Sequence, residues 1–113
     1  MSRSDIKRLD DIRESCDEVA ELVHRGREQL DSDPMLWRAL ERSVEIAGEA
    51  ATQLSQESRD RFPSVPWREL MAVRVRLAHA YFRIDSEILW EIATVHMPKV
   101  AEPLGPIEPV DAG

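Results

Sequence analysis

Apolar residues recur every three or four positions along almost the whole chain, and no stretch alternates with period two long enough to make a strand. Ile6, Leu9, Ile12, Cys16, Val19, Leu22 and Val23 form one stripe, with Asp10, Asp11, Glu14, Asp17 and Glu21 on the opposite face. This predicts a first helix over about 4–24, ended by Gly26 or by the polar stretch 29–32. Ser32 or Asp33 can cap a second helix that opens on Pro34. Its stripe is Leu36, Leu40, Val44, Ala47, Ala51 and Leu54, ending near Ser55. Inside it, Gly48 sits among alanines. Glycine in a helix interior costs about 1 kcal/mol relative to alanine, so a close neighbour is expected there.

Phe62-Pro-Ser-Val-Pro66 reads as a turn. The stripe Leu70, Val73, Leu77, Ala80, Ile84, Ile88, Ile92 and Val95 then predicts a long helix over 67–95, or two pieces with a bend. Pro98 marks its end or the start of a short following turn. From Glu102 the chain is acidic and carries Pro103, Pro106 and Pro109, a composition that favours a disordered tail. The expectation is an all-α, up-down helical bundle over 1–101 with a flexible Pro-rich tail over 102–113.

At 113 residues the chain has room for one small domain. With 42% hydrophobic and 33% charged residues it has the composition of a folding, water-soluble protein. The net charge of −7 argues against a general nucleic-acid coat protein, which would be basic. A lone cysteine, Cys16, excludes an internal disulfide and a cysteine zinc cage. His24, His79 and His96 lack metal-ligand spacing, so no metal is expected. The charged first twenty residues predict no signal peptide, and no apolar run is long enough to span a bilayer. Together these point to a cytoplasmic location without membrane attachment.

The chemistry is concentrated between Met71 and Arg83, which holds Arg74, Arg76 and Arg83 and no acid. His79 and Tyr81, the only tyrosine, lie inside it. Arginine can clamp a phosphate, histidine can shuttle a proton near neutral pH, and the phenol supplies a hydroxyl. At about 100° per residue, Arg74 and Tyr81 nearly align, but His79 points roughly 140° away from Arg74. One ideal helix would not bring Arg74 and His79 onto one small substrate; a bend or a second copy would. Composition alone equally accommodates solvated arginines, an interface histidine and a core-edge tyrosine. His24 and His96, near helix ends, read as structural or solvated, and Trp37, Trp67 and Trp90 as core or interface anchors.

Arg74-Val-Arg-Leu-Ala-His79-Ala-Tyr81, followed by Phe-Arg-Ile-Asp85 and Ile88-Leu-Trp90, resembles the RxxxxHxY signature of HepT-like toxins of the HEPN superfamily. Val44-Glu-Ile-Ala-Gly-Glu-Ala50 is similar to that family's GEA segment, and Pro63-x-x-Pro66-Trp67 to its lead-in to the motif helix. The likeness covers about 5–102. It implies a homodimeric helical bundle with both motif copies around one cleft. It further implies a metal-independent endoribonuclease, the toxin of a type VII-like toxin–antitoxin pair, acting on RNA such as tRNA or mRNA. In that reading Arg74 and His79 are catalytic. Arg76, Glu49 and Trp90 are candidates to line the cleft. The protein itself needs no cofactor; ATP serves the partner, a minimal nucleotidyltransferase antitoxin that adenylylates Tyr81. The family commonly has asparagine after the motif arginine, where this chain has Val75. That departure defines the alternative, a weak or inactive HEPN dimer serving as nucleotide-binding, regulatory partner of a nucleotidyltransferase.

Overall fold

The computed structural model describes residues 1–78 and 85–106. Two long helices form its frame: α1 (Arg3–Arg25) and, after the short α2 (Arg27–Ser32), α3 (Pro34–Gln53). Ser2 caps α1 by accepting from the Asp5 N–H, and Asp33 caps α3 by accepting from the Met35 N–H, with Pro34 in the first turn. α1 stops at Gly26, whose φ of 91° is cheap only for glycine. α3 runs antiparallel to α1. Asp5 meets Ser55 and Ser58 at one end, while the Ser43 hydroxyl donates to Glu18 further along.

A short α4 (Gln56–Asp60) and the expected turn through Pro63 lead to α5 (Trp67–Met71) and α6 (Val73–Ala78). The Trp67 indole N–H holds the turn by donating to the Arg59 and Phe62 carbonyls. Then come α7 (Ser86–Glu91), a π-helical turn (Ile92–His96) and α8 (Met97–Leu104). α8 packs antiparallel on the other side of α1, where Arg13 donates to the Leu104 carbonyl. The core lies between these layers, with Ile12, Leu30, Leu40, Val44, Leu89 and Ile92 fully buried. Cys16 belongs to it, and burial pushes its thiol up to about 12, so it stays protonated. Among the described residues there is no strand, and no helix is long and apolar enough to cross a membrane.

The structure decides two expectations the sequence left open and corrects a third. Of the two forms expected for 67–95, the interrupted one holds among the described residues: Ala72 breaks it between α5 and α6. Of the two roles expected for Pro98, it takes the second: it sits in the first turn of α8, which runs on for eight residues rather than one short turn. Its ring cannot tolerate the carbonyl four residues back and it offers no N–H. The chain relieves this by widening just before it, where the Met97 N–H donates five residues back to Ile92. Finally, helix α8 continues past 101, and Leu104 is buried, so 102–104 belong to the folded body. Residues 107–113 of the expected tail lie outside the described residues.

Asp5 ties the start of α1 to α4. It is buried, and its carboxylate accepts from the Ser55 and Ser58 hydroxyls at 2.6 and 2.7 Å. These hydroxyls hold its pKa below the ordinary aspartate value, opposed by burial. A lowered folded-state value means the contribution is fully present above about pH 4 and is lost as pH falls through that lower value. Asp5→Asn should therefore melt several degrees lower at neutral pH, with the gap closing on acidification. Thermal melts against pH check this; a gap independent of pH would contradict it.

Candidate functional site

α6 is where the chain exposes its basic segment. Val73 and Leu77, four residues apart, are buried against α3, which turns Arg74 and Val75 outward. Val75 is 58% exposed, a bare apolar side chain beside an exposed arginine. The seating of α6 depends on Gly48. A Cβ there would stand 3.1 Å from the Leu70 carbonyl oxygen and 3.7 Å from Val73 Cβ. The close neighbour expected from the sequence is thus the backbone of α5 at Leu70, with the Val73 side chain, which precedes Arg74, in ordinary contact beside it.

Arg76 points elsewhere. It lies about 200° around α6 from Arg74 and is half-buried. It lines a cavity of about 380 Å³ between α5–α6 and the π-helical turn, together with Glu69, Glu91 and His96. His96 Nδ1 approaches Glu69 at 3.2 Å without hydrogen-bonding geometry, and Nε2 lies 3.6 Å from Glu91. Glu91 and His96 are five apart, which a regular helix would separate by about 140°. The wider π turn brings them to one side.

Trp90 is not open for stacking on both faces. It meets Trp37 edge-on at 6.1 Å between centroids, and the Arg27 guanidinium lies over both rings, at 5.5 Å from Trp37 and 5.9 Å from Trp90. Arg27 also bonds Glu87 at the start of α7; this hydrogen bond raises the arginine's pKa and lowers the glutamate's. Asp85 caps α7 by accepting from the Glu87 and Ile88 N–H groups. The first turn after the motif segment is therefore fixed on both sides. Glu49 lies in a groove between α1 and α3.

Arg74, Arg76, Glu49 and Trp90 thus occupy four separate surroundings. His79 and Tyr81 lie outside the described residues. Sequence reading missed His96 as a cavity residue and Arg27 as a clamp on α7. Pro98 was the available signal for the first, since a proline there strains the preceding turn; the second had none. Among the described residues no group of three or more His, Cys, Asp or Glu side chains could hold a metal ion.

The family profile described as ribonuclease HepT-like matches residues 12–107. A Methanocaldococcus jannaschii protein named as a candidate RNase is 37% identical over 102 residues, 88% of this chain and 94% of its own length. Another protein so named, from Caldanaerobacter subterraneus, is 37% identical over 81% of this chain and 83% of its own. A Thermococcus cleftensis protein named as a probable ribonuclease HepT is 32% identical over 88% and 92%. No solved structure matches.

Proposed function

Since the chain belongs to the HepT-like ribonuclease family, we propose that it is a homodimeric, metal-independent endoribonuclease and the toxin of a toxin–antitoxin pair. The observation that carries this reading is Arg74, exposed on a helix whose opposite side is locked into the core by Val73 and Leu77. An arginine held in this way can meet a phosphate, and a second copy can complete the site with its own motif.

In the proposed reaction the ribose 2′-hydroxyl attacks the adjacent phosphorus and the 5′-oxygen leaves. The products are a 2′,3′-cyclic phosphate and a 5′-hydroxyl end. Arg74 binds the non-bridging oxygens and offsets charge that grows on them in the transition state. His79 transfers a proton, from the attacking hydroxyl or to the leaving oxygen. The internal nucleophile accounts for RNA as substrate and makes a metal-activated water unnecessary.

The partner is a minimal nucleotidyltransferase that uses ATP. The Tyr81 oxygen attacks the α-phosphorus, pyrophosphate leaves, and the chain acquires an adenylyl group. Added bulk and negative charge two residues from His79 fill the cleft and repel RNA. Val75 supports the second reading, an inactive regulatory dimer, because its exposed apolar side chain offers no hydrogen bond beside Arg74.

One experiment separates the two. Expressed alone in a host without the partner, the chain should arrest growth. Co-expressed with the partner it should become harmless and heavier by one or more adenylyl groups, whereas Tyr81→Phe should stay unmodified and toxic. No arrest at full expression favours the regulatory reading; modification of Tyr81→Phe removes Tyr81 as the acceptor.

A further inference from the structure

The groove between the N-terminal end of α1 and the C-terminal half of α3 carries charge opposite to that of the whole molecule. It measures about 710 Å³ and is lined by Arg3, Lys7, Arg8 and Arg42, with Asp11 and Glu49 as the only carboxylates among the described residues. Four cations against two acids stand out in a chain of net charge −7. Along α1, Arg3, Lys7 and Arg8 are interleaved with Asp5, Asp10 and Asp11, of which only Asp11 lines the groove, while Glu14, Asp17, Glu18 and Glu21 are exposed further along. The positive end of the α1 dipole falls beside Arg3.

The cations are available. Among the described residues Lys7 pairs only with Asp11, and it is 78% exposed; Arg42 is 63% exposed and lies 3.6 Å from Glu45. Arg3 makes no ion pair among the described residues. Exposed pairs of this kind are worth little and exchange readily for a phosphate. Arg8 is different, because it bonds Gln53 and faces the buried Asp5. Ile46 and Ala50 line the groove without an aromatic residue among those described, so it offers no platform for stacking bases.

We propose that this groove is an RNA-backbone binding site, separate from Arg74, which tracks phosphates without reading sequence. It rests on the ribonuclease reading for the identity of its ligand. It also accounts for how an acidic protein holds a polyanion: four cations share one channel with only two acids among the described residues.

The test measures binding of a fluorescein-labelled oligouridine to the full chain carrying His79→Ala, which prevents cleavage. Arg3→Ala/Lys7→Ala/Arg42→Ala should weaken binding roughly tenfold, and its salt dependence should be shallower by about 2 in log–log slope, three lost contacts at about 0.7 each. Arg25→Ala/Arg61→Ala/Lys99→Ala makes the same charge change at exposed positions elsewhere and should bind nearly as the parent does. Glu49→Gln should bind more tightly, a gain that a folding defect cannot mimic. Equal losses in both triple variants, or no binding by the parent, overturn the proposal. So does unchanged RNA binding, with or without loss of the nucleotidyltransferase, which would make the groove a protein surface if the partner is lost. If wild type fails to cut RNA while groove-dependent binding persists, the ribonuclease reading falls and the groove stands.

Discussion

Wild-type protein is expected to cut single-stranded RNA in the presence of chelator, and Arg74→Ala to lower kcat/KM by about 10²–10³. His79→Ala should lower it by about 10²–10⁴, the usual contribution of a positioned proton-transfer group. Arg74 is exposed and its helix is held by Val73 and Leu77, so its truncation should change stability by no more than about 0.5 kcal/mol. Arg74→Lys should recover only part of the activity, since an ammonium keeps the charge but not the two-pronged geometry that fits a phosphate. Cleavage products should end in a 2′,3′-cyclic phosphate. The Val75 alternative enters the same assay. If wild type is inert while Val75→Asn cuts, an exposed hydrogen-bonding group beside Arg74 is what the site lacks. If both alanine variants cut as fast as wild type, Arg74 and His79 are not the catalytic groups.

The long helices were legible because each carries its own signals. α3 has Asp33 and Pro34 at its start and six stripe positions to bury, and α1 has Gly26 at its end. Gly48 announced a close contact and made one. α2 and α4 were not legible, since five or six residues hold too little periodicity to stand out; burial of Leu30 and Ser58 by distant residues defines them. The break at Ala72 has no proline or glycine behind it. It arises where the backbone turns against α3, a tertiary cause that no local pattern carries. Pro98 was visible as an end or a start, but the widened turn that precedes it was not. Where a helix is packed on α1 through Met97, Val100 and Leu104, the chain widens one turn rather than stop.

Of the candidate site residues, only those on α6 could be placed from the pattern. The stripe Val73, Leu77 already implied that Arg74 faces outward and Arg76 another way. It could not say that Arg76 would share a cavity with His96, because that arrangement needs the π-helical turn. Nor could it assign the cations of α1 to a groove, because Arg42 is contributed by α3, thirty-four residues after Arg8. A charge pattern that looks mixed along one helix becomes a channel only when a second helix adds its own cation.

Gly48→Leu should be the most damaging single substitution near the site. Even a Cβ at this position stands 3.1 Å from the Leu70 carbonyl oxygen, and that oxygen belongs to backbone that cannot swing aside like a side chain. Alanine presses against this contact but recovers about 1 kcal/mol of helix propensity, so Gly48→Ala should be close to neutral. Leucine adds three more carbons where α5 and α6 meet α3. Overpacking of this kind typically costs about 1–3 kcal/mol, or some 4–8 °C in Tm per kcal/mol for a domain near this size. The loss should not stop at stability. Relief requires α5 and α6 to lift away from α3, and Val73, the second atom set the new side chain meets, directly precedes Arg74. RNA cleavage by Gly48→Leu at a temperature well below its Tm should therefore fall much more than the fraction unfolded accounts for, while Gly48→Ala keeps most of it. Full activity in Gly48→Leu with a wild-type Tm would mean that the α3 contact does not position Arg74.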